Sequence, residues 1–283
     1  MGLALVLALS AGAAVLHAQP APEVFPDGET LTLEFIDKAL ADGRLKSAAD
    51  LLTRAQARGN SPELRLREAE LLLASGLRNE ADMLFRTLEA EPALAARAKT
   101  GRAVATLRDG QVEVAGELLK TAVALDPALA RAWTTLAVLA DQRQDWKAAD
   151  AAYGKAIAAA PNDANAFNNR GYSRLLQQRT TEAEADFLKA LELRPGLEIA
   201  ETNLRLARGL QGRYTEAFAG SSRAQLGRDL NTVGYAAMLR GDLKLAESYF
   251  SRALELDPQY QSAAAANLAY LKQLAGGQSA HNP

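Results

Sequence analysis

Cysteine is absent from the chain, and its two histidines, His17 and His281, stand at opposite ends of a 283-residue sequence. The first absence removes disulfides, thiol nucleophiles, cysteine metal ligands and a lipid-modified N-terminal cysteine together. The second leaves no imidazole in the body of the chain to activate a serine or complete a common transition-metal site. Neither charge sign is in excess. With 32 Lys and Arg against 34 Asp and Glu, nothing in the composition favours nucleic acid or an anionic membrane as a partner. The glycines that cradle phosphates are missing too: Gly154-Lys155 lacks the earlier glycine and the following Ser or Thr, and Gly209 to Gly212 is too sparse for a dinucleotide turn. The carboxylates Glu182, Glu184 and Asp186 read as a solvated helix face rather than an acid–base pair. Glu192 and Glu255 stand in matching positions before Pro195 and Pro258, which argues against a unique role for either. The expectation is a protein that is not an enzyme, with no cofactor, no metal and no small-molecule substrate.

What the sequence has is a period. Pro127, Pro161 and Pro195 are spaced 34 residues apart, and Ala149/Ala183, Tyr153/Phe187 and Ala156/Ala190 recur at that interval. Within 130–163, Trp133, Leu136, Ala137 and Ala140 are apolar at helical spacing, and after a polar break at Gln142–Asp145 a second run follows with Ala149, Tyr153, Ala156 and Ile157. Each period is therefore a helix hairpin. Small residues at Ala137/Gly171 and Ala149/Ala183 let the two backbones approach, while Trp133/Phe167 and Tyr153/Phe187 fill the space between a hairpin and its neighbour. The proline closes the unit because it has no N–H to donate and disfavours helix at the residue before it.

Following the second-helix alanine gives Ala48, Ala81, Ala115, Ala149, Ala183, Ala217 and Ala246, separated by 33, 34, 34, 34, 34 and 29 residues. Seven units result, at 29–61, 62–95, 96–129, 130–163, 164–197, 198–226 and 227–260, with a terminal helix at 261–275 to cover the last apolar face and a disordered tail at 276–283. Gly43, Gly76, Gly110, Gly212 and Gly241 fall in five of the seven inter-helix turns. The sixth unit is irregular. It carries Ser221 where Leu52, Phe85, Leu119, Tyr153, Phe187 and Phe250 stand elsewhere, and Arg205 where the others have Ala or Gly. A guanidinium there must snorkel out or rotate its helix, so a stacking defect is expected over 205–226. Ahead of the units, the apolar run Leu3–Leu16 and the small residues near Ala18 read as a signal peptide over 1–18, with a Pro-rich linker at 19–28. The run is short for a membrane span, so membrane contact is expected only through this segment if it stays uncleaved.

Trp133-x-x-Leu136-Ala137, Gly171, Ala183, Phe187, Ala190 and Pro195 stand at the signature places of the tetratricopeptide repeat (TPR) family, which the chain resembles over about 29–275. The resemblance implies an all-α fold, a TPR α-solenoid, and a non-catalytic protein–protein interaction scaffold. The short sixth unit, Leu230-Asn231-Thr232-Val233-Gly234-Tyr235, Arg240-Gly241-Asp242 and Ala266-Asn267-Leu268 are together similar to the TadD-type TPR proteins of tight-adherence (Flp) pilus assembly. That likeness implies an exported protein of the bacterial periplasm or cell envelope that assists a pilus or secretion apparatus; the alternative is an intracellular TPR regulatory adaptor with a miscalled N-terminus. Many such proteins are lipoproteins, and this chain has no cysteine to carry the lipid. The family's clamp for acidic C-termini needs Lys and Arg where this chain has Thr134, Val138, Ile199 and Asn203.

In a stack of hairpins the first helices line the concave side. Their outward positions nominate Arg131, Thr135, Asn165, Asn168, Asn169, Tyr172, Asn203, Asn231 and Tyr235 as a groove for a protein or extended-peptide partner. Asn169 and Asn203 fall one repeat apart, where an amide can pair with a peptide backbone without reading its sequence. The bland reading of the same residues is a polar helix face exposed to water.

Overall fold

The computed structural model describes residues 29–256 and 261–279; the expected signal peptide at 1–18 and linker at 19–28 lie outside them. The described residues form fifteen helices. They pair as hairpins: α1 (Glu29–Ala41) with α2 (Leu45–Gln56), α3 (Pro62–Ala74) with α4 (Arg78–Leu88), α5 (Ala95–Arg108) with α6 (Val112–Leu125), and α7 (Ala130–Gln142) with α8 (Trp146–Ala159). The series continues as α9 (Ala164–Leu176) with α10 (Thr180–Leu193), α11 (Glu198–Leu210) with α12 (Tyr214–Ala217), α13 (Leu226–Arg240) with α14 (Leu243–Leu256), and the unpaired α15 (Gln261–Ser279). This is an α-solenoid. Each first helix packs on its own second helix and also touches the first helices before and after it, whereas no comparable contact joins successive second helices among the described residues. Crowding on one side bends the stack, so the first helices line the inside of the curve.

The register rests on the seven alanines. Ala48, Ala81, Ala115, Ala149, Ala183, Ala217 and Ala246 are all at most 1% exposed. Opposite them, a small residue on the first helix admits a ring from the second: a Cβ added to Gly171 would lie 2.6 Å from Phe187, and one added to Gly234 would lie 2.9 Å from Phe250. Pro127, Pro161 and Pro195 follow α6, α8 and α10 by two residues, where the helix must stop. The five turn glycines take φ between 69° and 87°, as a left-handed cap requires. Gln144 and Gln178 fill the same place in the other two turns, at φ 56° and 62°. Their turns close with the same backbone hydrogen bonds, so position rather than residue type dictates the conformation.

The sixth unit departs from the pattern in the expected place but by a different route. Its second helix, α12, has four residues where α10 and α14 have fourteen each. Arg205 neither snorkels out nor turns its helix away. It stays buried with its Nε 3.1 Å from Oδ2 of Asp229 on α13, and the same Nε donates to Ser221 Oγ at 3.4 Å. Size has been exchanged across the hairpin: where Gly171 faces a large Phe187, a large Arg205 faces a small Ser221. Phe218 then packs edge-on against Tyr249 of α14, 5.4 Å between ring centroids, in the space the missing turns vacate.

Two further expectations need correction. The terminal helix does not end at 275 but continues through Gly276 and Gly277 to Ser279, so 276–279 is helical rather than tail; no proline intervenes to stop it. Glu184 and Asp186, expected on a solvated face, are 8% and 3% exposed. Asp186 receives Nε and Nη2 of Arg170 at 2.9 and 2.7 Å and Nη1 of Arg174 at 2.7 Å, which satisfies a carboxylate that burial alone would penalise.

Removing one partner of the Arg205–Asp229 pair leaves the other buried with only a 4.0 Å contact to offset its charge, Arg228 beside Asp229 or Glu201 beside Arg205. Arg205→Met is expected to lower unfolding free energy in urea by about 3–5 kcal/mol, and Asp229→Leu in that background to recover most of it. A neutral single variant would show that the pair does not hold α11 to α13.

Candidate binding surface

The inside of the curve is not uniform. In its N-terminal half the first helices carry a ladder of opposite charges. Asp37 on α1 accepts both Nε and Nη2 of Arg67 on α3, at 3.0 and 2.8 Å. Glu70 on α3 accepts Nη2 of Arg97 on α5 at 3.2 Å, and Arg131 on α7 approaches the same carboxylate at 3.6 Å. Glu70 is largely shielded and already engaged, whereas the Arg131 side chain is 53% exposed, which leaves most of its guanidinium open to an incoming group.

These residues wall a groove of about 700 Å³ that runs from Asp37 and Leu40 on α1, past Glu70, Arg97 and Thr100, to Arg131, Thr134, Thr135 and Asn165. The hydroxyls of Thr100, Thr134 and Thr135 each donate to the carbonyl four residues back, Ala96, Ala130 and Arg131, at 2.8, 3.1 and 2.8 Å. Thr100 is buried, so only the partly exposed Thr134 and Thr135 oxygens face a partner as acceptors. Asp163 is otherwise engaged: it caps α9 by accepting from the Asn165 amide at 2.9 Å.

Of the residues nominated from sequence, Arg131, Thr135 and Asn165 come together in this groove. Asn168 and Asn203 do come together, but with each other. Asn203 Nδ2 donates to Asn168 Oδ1 at 3.0 Å, both residues are buried, and Asn168 Nδ2 in turn donates to Asn169 Oδ1 at 3.4 Å. The pair joins α9 to α11 instead of facing an incoming backbone. Asn231 is similarly taken, accepting from Asn267 Nδ2 of α15 at 2.9 Å. Tyr172 and Tyr235 are half-buried further along the same face, and burial together with the nearby Tyr235 pushes the Tyr172 phenol above its ordinary range.

Asp37, Glu70, Arg97 and Thr100 were missed by the sequence reading, although a signal was present. Asp37 and Glu70 lie 33 residues apart and Arg97 and Arg131 lie 34 apart, the repeat spacing itself. Asp141 on α7 sits between hairpins, accepting from Ser173 Oγ at 2.5 Å and from the Tyr153 hydroxyl at 2.9 Å. Burial raises its pKa, with the charge of Asp150 adding to the rise and those two hydrogen bonds opposing it. Among the described residues there is no cluster of three or more metal-ligating side chains, and no helix long and apolar enough to cross a membrane.

Tetratricopeptide repeat models match residues 134–198 and 230–260. The chain carries TPR repeats. No curated protein matches it in sequence. Among solved structures it is similar to the APC/C hetero-tetramer Cut9–Hcn1, with TM-score 0.65 and 16% identity, covering 87% of this chain and 49% of that one, so the chain spans about half that length. It is also similar to PilF of Pseudomonas aeruginosa (TM-score 0.55, 20% identity, 72% and 96% covered) and to a thermophilic TPR protein of Thermus thermophilus (0.54, 22%, 68% and 100%). At these identities the shared property is the fold, and the groove of the TPR array must be argued from its own residues.

Two outcomes test this assignment of residues. Asn203→Ala strands the Asn168 carbonyl and is expected to cost about 1 kcal/mol in denaturant unfolding, while Asn169→Ala leaves stability unchanged. Equal effects would mean the amide pair is not structural. For Asp141, a carboxyl whose folded pKa is raised contributes stability below its unfolded pKa and loses it as pH rises through the folded value. The stability of Asp141→Asn relative to the natural chain should therefore increase from pH 4 to 7, and a flat difference would contradict the burial argument.

Proposed function

We propose that this TPR array is a scaffold whose inner groove holds an extended segment of a partner protein. The observation that carries the reading is the groove between Asp37 and Asn165, walled by side chains from α1, α3, α5 and α7 and the start of α9, so that one segment touches five consecutive units. Threonine oxygens and the Asn165 side chain supply hydrogen bonds suited to a peptide backbone, and the exposed Arg131 supplies charge-assisted donors to an acidic side chain or carbonyl. No groove residue is a nucleophile set against a base, which favours binding over catalysis.

The finer reading places the scaffold in the bacterial envelope, assisting a pilus or secretion apparatus. It is supported by the apolar run Leu3–Leu16, by the pattern of the sixth and seventh units, and by the fold likeness to PilF. Capture from envelope extracts tests it. The natural chain is expected to retain a pilus or secretion component, and Arg131→Glu with Asn165→Ala to lower capture about tenfold, the loss that a charged hydrogen bond of roughly 1.5 kcal/mol implies. Capture indifferent to the double variant would rule out the groove, and capture of no such component would rule out the apparatus. N-terminal sequencing of the mature protein should read from beyond Ala18; an intact Met1 on protein from the cytosol would favour the intracellular adaptor, and on protein from the envelope an uncleaved anchor.

A further inference from the structure

Two kinds of contact join one unit of the array to the next. Apolar packing crosses every boundary, and at most boundaries charged side chains are added to it. Arg179, just before α10, reaches back to Asp150 on α8 at 2.6 Å while also holding Glu182 in its own helix at 2.6 Å. One repeat later Arg213 holds Glu184 on α10 at 2.5 Å and also engages Glu216. Burial pushes the Glu184 pKa up, but the bonds from Arg208 and Gln211 and the charges of Arg213 and Arg208 hold it below the usual range, so the clasp stays ionised. Elsewhere Arg205 adds a charge contact to Asp229, and Arg67 with Asp37 and Arg102 with Asp82 at 3.1 Å do the equivalent work of the clasps. Such bonds are short and directional, and they set the angle of one hairpin on the next.

One repeat before Arg179 the three clasp positions read Asp145, Ala148 and Gly116, and no clasp is possible. Between α5–α6 and α7–α8, the described residues hold a single direct ion pair, Arg143 with Glu113, at 3.7 Å and with both side chains largely exposed. In place of the clasp a cleft of about 570 Å³ opens between α6, α7 and α8, floored by Leu136, Leu139, Ala148 and Ala152. What remains at this joint is Ala103, Ala115, Leu119 and Ala122 packed against Ala132 and Leu139, with the half-exposed Arg131 reaching past α5 to Glu70 on α3 at 3.6 Å. Apolar packing has no preferred direction, so it permits small rotations that a clasp forbids.

We propose that the joint between the third and fourth units is the flex point of the array, with units one to three and four to seven moving as two stiff halves. The groove from Asp37 to Asn165 crosses this joint, and bending there changes its width. The inference stands on the joint alone and holds whether or not the groove takes a protein segment.

The absence of cysteine makes the test direct, because spin labels attach only where a cysteine is introduced. In the full chain, Lys46→Cys with Lys244→Cys spans the joint, while Lys46→Cys with Thr121→Cys and Lys147→Cys with Lys244→Cys each lie within one half; all four sites are exposed. Pulsed electron–electron distance measurements are expected to give a broad distribution across the joint and narrow ones within each half. Building the missing clasp with Gly116→Asp, Asp145→Arg and Ala148→Glu should narrow the cross-joint distribution to the within-half width. A Cβ at Gly116 meets nothing within 4 Å, and the Asp145 backbone (φ −82°, ψ 76°) is close to that of Arg179 (φ −86°, ψ 60°); the arginine gives up the bond Asp145 accepts from the Ala148 amide at 3.1 Å, a cap that α10 also lacks. As a second variant that removes a clasp instead, Arg179→Ala should broaden the Lys147–Lys244 distribution. A cross-joint distribution already as narrow as the others, or one that stays broad in the clasped variant, overturns the proposal, as does an unchanged width in Arg179→Ala.

Discussion

Everything in this chain depends on one contact repeated along it, a small residue on the first helix of a hairpin facing a bulky side chain on the second. Close approach of two helix backbones is possible only where a Cβ is absent or minimal, and the space so created must be filled for the interior to reach native density. Gly171 with Phe187 and Gly234 with Phe250 satisfy both demands. Once that crossing is set, the alanine beside it is buried in every unit, and each hairpin presents the same surface to the next. The sixth unit shows that volume, not chemistry, is the constraint, because Arg205 with Ser221 fills the same crossing in reverse and then needs Asp229 to neutralise the charge it brings inside.

Charge has a second task in the array. Apolar burial holds the units together, and arginine–carboxylate bonds across the boundaries fix their angles. The inner face inherits the consequences. Where the first helices carry Asp37, Glu70, Arg97 and Arg131 the charges pair along one wall and a groove remains open beside them. Where they carry Asn168 and Asn203 the amides close on each other and the surface is spent on holding helices together.

Local order was legible in the sequence to within a residue at most first-helix starts, since a period of 34 and the 3.6-residue turn leave little freedom once the alanines are aligned. The positive-φ turns were legible only where glycine marks them. Gln144 and Gln178 adopt the same conformation without advertising it, because tertiary packing of the hairpin imposes it on whatever residue stands there. Of the nominated surface, Arg131, Thr135 and Asn165 were brought together in one groove. Asn168, Asn203 and Asn231 were not, because helical periodicity says which way a side chain leaves its own helix and nothing about what meets it from the next.

By itself the sequence determined the fold class, the number of hairpins, the irregular unit and the residue types barred from the chain, all of which follow from spacing and inventory. The tertiary structure alone decided which polar residues are free. Whether Glu184 is solvated or clasped, whether Asn203 offers its amide or has already used it, and whether a boundary carries an arginine bridge or a cleft depend on distances between residues about one repeat or more apart. Those distances are set by how helices cross, and a one-dimensional period does not contain the crossing angle.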